Sequence, residues 1–217
     1  MENAKDWLIV ANGEPISASK LIALAKNKRT VILDGALNDV IGMLLPAVVL
    51  GDFDSISPDL LLTLEDSEST ILIHAPDPNA TDLEKALRYV ISFEPKSIHI
   101  CQATGRRLDH TLYNLRLLKK FHDQCREIFI ISDTEKMVYL QNESVTVSAE
   151  SPQPLALLSF PEAYVTSHGL QYDMDDYQLA FAKQESVSNT LLNQQATIDV
   201  KGDALLIVSH ETTLQRD

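Results

Sequence analysis

The stretch AVVLGDFDSI, residues 47–56, joins an uninterrupted apolar run to two carboxylates, Asp52 and Asp54, that flank one aromatic residue. A strand that is apolar at every position, not at every second one, is covered on both faces, and that is the habit of an interior strand in a parallel sheet. The same signature recurs in DWLIVA (6–11), TVILD (30–34), STILIHA (69–75), SIHICQA (97–103) and EIFIIS (127–132). Between these runs, SASKLIALAKN (17–27), TDLEKALRYVISF (81–93) and DHTLYNLRLLKKFHDQ (109–124) repeat apolar residues at helical spacing. Strand–helix alternation at this pitch predicts a doubly wound α/β domain with a largely parallel sheet.

After Asp133 the pattern changes. KMVYLQ, SVTVSA, LALLSF, YVTSHGL, YQLAFAK, ATIDVKG and ALLIVSH are short, often alternating, and separated by turn-forming residues. They predict an all-β sandwich. The expected division is therefore an α/β domain over 1–134 and a β-sandwich domain over 135–217.

Composition narrows the function classes. A chain of 217 residues with 45% apolar content can bury a substantial core. No run approaches the length of a membrane span, and the N-terminus lacks the features of a signal peptide, so a cytoplasmic protein is expected. A net charge of −13 argues against binding nucleic acid or an anionic membrane. An anionic ligand would need local cations or a metal. The two cysteines and six histidines have no zinc-type spacing, and a disulfide is not expected.

In an open parallel sheet, ligands bind beyond the carboxyl ends of the strands. Four successive strand ends carry chemistry here: Asp34 with Gly35; Gly51, Asp52 and Asp54; Asp77, Thr81 and Asp82; then Gly105, Arg106, Arg107 and Asp109. Thr81 and Glu84 also read as a capping box, and Asp109 as a helix N-cap. Asp52 and Asp54 are harder to explain that way. Two apposed carboxylates demand a cation, and a hard oxygen site suits Mg²⁺. The arginines beside Gly105 suit a phosphate group. Together these are the parts of phosphoryl chemistry on a metal-bound polyphosphate. Neither a P-loop nor a dinucleotide fingerprint is present.

Taken together, VVLGDFDSI, DPNATDLEKAL and ATGRRLDHTLYNL resemble the three catalytic-domain motifs of the thiamine pyrophosphokinase family, and ESVSNT (185–190) is similar to its late thiamine-binding stretch. The resemblance implies transfer of the pyrophosphoryl group of ATP to the hydroxyl of thiamine by a Mg²⁺-dependent homodimer. Each site would then combine an α/β domain with the partner's β-sandwich. It further implies that Asp52, Asp54 and Asp82 hold the metal, and that Asp34, Thr81, Arg106 and Arg107 face ATP. Asp109 would be a further metal or substrate contact, and Ser186 and Asn189 would hold thiamine.

Some positions depart from the family pattern. Arg106 stands where a second glycine is usual, the asparagine of the Asp34 segment is shifted to Asn38, Pro78 replaces a frequent glutamine, and no aromatic residue follows Asn189. These departures keep two alternatives in view: a pyrophosphokinase for another hydroxyalkyl heterocycle, and an inactive homologue that only binds.

Overall fold

A computed structural model describes residues 5–217. The chain divides into two compact units between Asp133 and Thr134. Among the described residues the first holds six strands: β1 (Asp6–Val10), β2 (Arg29–Leu33), β3 (Val48–Gly51), β4 (Ile71–His74), β5 (Ser97–Cys101) and β6 (Ile128–Ile131). All pair in parallel, in the order β6-β5-β1-β2-β3-β4. Leu8, Ile9, Val10, Val31, Ile32, Val48, Val49, Ile98 and Ile100 are fully buried, so these runs are covered on both faces, whereas β4 ends the strand order and has Ile71 and His74 exposed, so the expectation fails for STILIHA.

Helices α1 (Ala18–Ala25), α2 (Leu37–Val40), α3 (Pro58–Glu65), α4 (Asp82–Ile91) and α5 (Leu108–Lys120) fill the connections. Neither the four-residue α2 nor the longer α3 has a counterpart among the expected helices, and α3 is the one that could have been found. Its signal was present in the sequence: Ser57 accepts a hydrogen bond from the Leu60 amide, and Pro58 occupies the first helical position, where its missing N–H is harmless. At α4, Thr81 is the cap and accepts from the Glu84 amide at 3.3 Å. The capping box is only half formed, because the Glu84 side chain turns inward. Although buried, it is bound by Arg88, Lys120 and Tyr113, which ties α4 to α5. Asp109 is not a cap: that position belongs to Arg107, and Asp109 lies in the first turn of α5.

The sequence connects β1 to β2, β3 and β4 on one side, then returns to place β5 on the other side of β1. The order therefore reverses between β1 and β5, and the crevice beyond their carboxyl ends is where such a sheet receives a ligand.

The second unit is an antiparallel β sandwich. Its strands are β7 (Glu135–Ser148), β8 (Gln153–His168), β9 (Tyr177–Ala180), β10 (Ser186–Leu191), β11 (Gln195–Ser209) and β12 (Thr213–Arg216). The central order is β10-β8-β11-β7, with β9 on β8 and β12 on β7. Three pairs of short expected strands are thus three long ones. The interruptions that resemble turns are irregularities inside continuous strands: Asn142 at φ 48°, Pro161 within β8, and Gly202 at φ 98°. The β11 pairing shifts between Val200 and Asp203, a bulge that bends the strand without ending it. Strands β10 and β12 were not anticipated, because SVSNTL and TLQR carry too little apolar residue to register as strands.

Candidate active site

Beyond the carboxyl ends of β1 to β5 lies a cavity of about 500 Å³, lined by side chains from all five connections. Its acidic corner begins at β2. Asp34 follows directly on Leu33 and is buried, and its Oδ1 has no hydrogen-bond partner among the described residues. It fits there because residue 51 is glycine: a Cβ on Gly51 would stand 2.5 Å from the Asp34 Cβ. Next, Phe53 adopts φ 66°, so the chain after β3 turns instead of running on in extended form. Extended backbone would place Asp52 and Asp54 on one side of the strand, and this turn replaces that geometry. Their carboxylates converge all the same, through the turn. Asp54 N–H faces the Asp52 carboxylate, and Ser55 Oγ donates to Asp54 Oδ1 at 2.7 Å. Phe53 packs partly against the core and against His74, which anchors the turn.

Each of Asp34, Asp52 and Asp54 offers an oxygen within 4.8 Å of the other two. Burial pushes Asp34 up to about 6, helped by its hydrogen bond to Asp52, and that same bond holds Asp52 below its ordinary value. A cluster of hard oxygen donors with one orphaned buried oxygen fits a divalent cation of the Mg²⁺ type.

The rest of the wall is polar or cationic. Asp82 lines the cavity but lies outside the carboxylate cluster, ion-paired at 3.0 Å to Lys85, which also donates to the Ala75 carbonyl at 2.7 Å. Asp77 closes a local turn by accepting from the Asn79 amide, and this holds its carboxyl below the usual range. Beyond β5, Gly105 and Arg106 both have positive φ, and their loop brings Arg106 and Arg107 to the rim. Arg106 donates to Asn12 Oδ1 at 2.6 Å and to Asp39 Oδ2 at 2.9 Å. Arg107 is paired with Asp109 through two bonds of 3.1 and 2.6 Å, both side chains being well exposed. This pairing holds Asp109 down at about 2. Asp109 is not among the residues lining the cavity.

Several lining residues were not singled out from the sequence: Asn12 and Gly13 after β1, Gln102 after β5, Lys85 and Asn114. The first two had a legible signal, because Asn-Gly ends an apolar strand just as Asp-Gly does after β2. Asn114 had none; it is a buried residue in the middle of α5 that donates to the Ala103 carbonyl at 2.7 Å.

Residues 22–130 match the family model for the thiamin pyrophosphokinase catalytic domain, and residues 140–205 match the model for the thiamin pyrophosphokinase vitamin B1 binding domain. The chain belongs to the thiamin pyrophosphokinase family. Thiamin pyrophosphokinase 1 of Caenorhabditis elegans is 27% identical over 222 residues, covering 94% of this chain and 87% of its own length. Thiamine pyrophosphokinase 1 of Arabidopsis thaliana is 28% identical, covering 77% of this chain and 67% of its own. The crystal structure of thiamine pyrophosphokinase from Bacillus subtilis superposes with a TM-score of 0.83 at 22% identity, covering 94% of this chain and 98% of that one.

Ser186 and Asn189, the residues that the resemblance to thiamin pyrophosphokinases singled out in the second unit, lie on β10. Ser186 and Asn189 flank a register shift in its pairing with β8, where Ser188 has φ 61°. Asn189 is buried, and its amide is fully engaged. Oδ1 accepts from Tyr172 N at 3.1 Å and Thr190 N at 2.8 Å, while Nδ2 donates to the Tyr172 carbonyl at 2.9 Å and faces Ser186 Oγ at 3.4 Å. In this thiamin pyrophosphokinase fold, Asn189 secures the turn around Tyr172 to the bulge.

Proposed function

We infer that the chain is a thiamin pyrophosphokinase, transferring the pyrophosphoryl group of ATP to the hydroxyl of thiamine to give thiamine diphosphate and AMP. The observation that carries this reading is the convergence of Asp34, Asp52 and Asp54 beside Arg106 and Arg107, in one cavity of a domain that matches the family's catalytic model.

Asp34, Asp52 and Asp54 would hold the divalent cation, with Mg²⁺ the proposed ion. Bound there, it supplies charge neutralisation for the polyphosphate. The protein's own groups orient the reactants and exclude water. Arg107 faces the phosphates when it exchanges its exposed bond to Asp109 for a phosphoryl oxygen, and its guanidinium then offsets the negative charge that grows on the oxygen leaving with AMP. Arg106 holds the loop in place through Asn12 and Asp39, and adds positive charge at the rim. Lys85 bridges the end of β4 to Asp82, which fixes the entry of α4 against the cavity.

We also propose the following, on resemblance to the family. The second unit binds thiamine through the region of Ser186 and Asn189. The protein works as a homodimer in the cytoplasm. Exposed apolar side chains on the second unit, Tyr172, Phe181 and Val187, support an interface there. Among the described residues no helix is long and apolar enough to cross a membrane. Light scattering after size exclusion tests the dimer.

The activity test is direct. The pure protein is incubated with ATP, Mg²⁺ and thiamine, and the products are identified by chromatography and mass. Equal amounts of AMP and thiamine diphosphate are expected. ADP with thiamine monophosphate would overturn pyrophosphoryl transfer.

A further inference from the structure

The loop after β5 contains two side-chain-bearing residues in the left-handed region, Gln102 at φ 55° and Arg106 at φ 48°. Glycine adopts this conformation freely, while a side chain there is disfavoured and calls for a reason. Arg106 has its reason within the chain, in Asn12 and Asp39. Gln102 does not. Its backbone carbonyl accepts from Gly13 N at 2.6 Å and locks the β5 end to the β1 end. The residue is 97% buried, yet among the described residues Oε1 has no hydrogen-bond partner, and Gln102 lines the cavity.

We propose that Gln102 is a specificity-determining residue that accepts a hydrogen bond from the nucleoside part of the nucleotide donor. The proposal rests on reading the cavity as the nucleotide site. The chemistry of the orphaned atom narrows the choice. A carbonyl oxygen is an acceptor only, and a phosphate at neutral pH carries oxygens that are acceptors too, so the partner is a neutral O–H or N–H. Position points the same way. Gln102 leaves β5, separated from Asp34 at the end of β2 by β1, so two strand spacings lie between them, roughly 10 Å. That is too far for a group bound at the carboxylates, and within the length of a nucleotide that has its phosphates there. The terminal torsion of a glutamine is soft, so the amide turns toward the cavity at little cost when a donor arrives. The donors a nucleoside offers are its sugar hydroxyls and the exocyclic amine of its base.

The test uses the full chain, with binding as its main readout and a turnover assay beside it. Calorimetry compares AMP, 2′-deoxy-AMP, 3′-deoxy-AMP and inosine monophosphate on the unmodified protein, on Q102G and on Q102M. Q102G removes the side chain and relieves the left-handed backbone, so its fold is not at risk. Q102M keeps the bulk and removes the acceptor. Both variants are expected to bind AMP about five- to tenfold more weakly, the usual worth of one neutral hydrogen bond. One of the three analogues, the one lacking the donor, should bind all three proteins alike. If a deoxy analogue does so the donor is the sugar, and if inosine monophosphate does so it is the base amine. Unchanged AMP affinity in Q102G overturns the proposal. So does a loss that no analogue abolishes, or a change confined to the KM for thiamine. If the unmodified protein forms no thiamine diphosphate while the AMP pattern holds, the proposed function fails and the assignment of Gln102 stands.

Discussion

The side chain of Asp34 packs against the bare α-carbon of Gly51, so closely that a Cβ there would lie 2.5 Å from the Asp34 Cβ and 3.3 Å from its Cγ. Neighbouring parallel strands β2 and β3 bring the two residues side by side, and the absent side chain at 51 makes room for the carboxylate at 34. G51A is therefore expected to push Asp34 out of the cluster. Overpacking of this kind costs about 1–3 kcal/mol. Turnover should fall at least tenfold while circular dichroism shows the fold retained, and unchanged turnover would show that the contact does not position the carboxylate.

Asp34 itself sets a pH dependence whose sign is fixed by its raised value of about 6. An acid that holds its proton more tightly when folded favours the folded chain at low pH, and that advantage disappears as pH rises through about 6. The ionised carboxylate is thus a burden on the metal-free protein at neutral pH. D34N should raise metal-free stability at pH 7.5 by roughly 1–3 kcal/mol and lose this benefit near pH 4. It should also abolish turnover. Denaturant titrations at the two pH values measure the difference.

Asp54 offers the complementary test, since its oxygen is exposed and belongs to the same cluster. D54N is expected to remove most turnover with little change in melting temperature. Near-normal rates at saturating Mg²⁺ would exclude this carboxylate as a ligand.

Glu84 carries stability rather than chemistry. Burial works to raise its pKa, but hydrogen bonds from Lys120 and Tyr113 and the charges of Lys120 and Arg88 outweigh it and hold the carboxyl below its ordinary value. A lowered acid contributes stability that is present above its unfolded pKa and lost as pH falls. E84Q puts a neutral amide at the buried position while Arg88 and Lys120 stay half exposed to water, so the cost is that of weakened hydrogen bonds, about 1–3 kcal/mol. The expected readout is a lower denaturation midpoint at pH 7, with the gap to the unmodified protein closing in acid.

Asn189 should behave as a scaffold residue. N189A strands the Tyr172 amide and carbonyl and is expected to destabilise the protein by about 1–3 kcal/mol. If the amide also meets thiamine, the KM for thiamine rises as well. A rise in KM with no loss of thermal stability would contradict the scaffold role.

Much of the fold was legible because it depends on local, periodic signals. Uninterrupted apolar runs such as VIL (31–33) and VVL (48–50) marked strands that are buried on both faces, and the change to alternating segments after Asp133 marked the β-rich half. Asp52 and Asp54 were legible as a pair because two like charges beside a buried strand need an external reason. What the linear pattern could not convey was partnership. Strand order places Asp34 against Gly51, so Asp34 joins Asp52 and Asp54 while Asp82, apparently equivalent in sequence, turns to Lys85. Gln102 was an ordinary polar residue until a positive φ and an oxygen without a partner among the described residues set it apart. Asn142, Pro161 and Gly202 look like turns because a bulge and a turn use the same residues, and only pairing across the sheet tells them apart. Composition and periodicity determine which segments are buried; which carboxylates share a cation, and which glycines are gaps for them, is decided when distant strands meet.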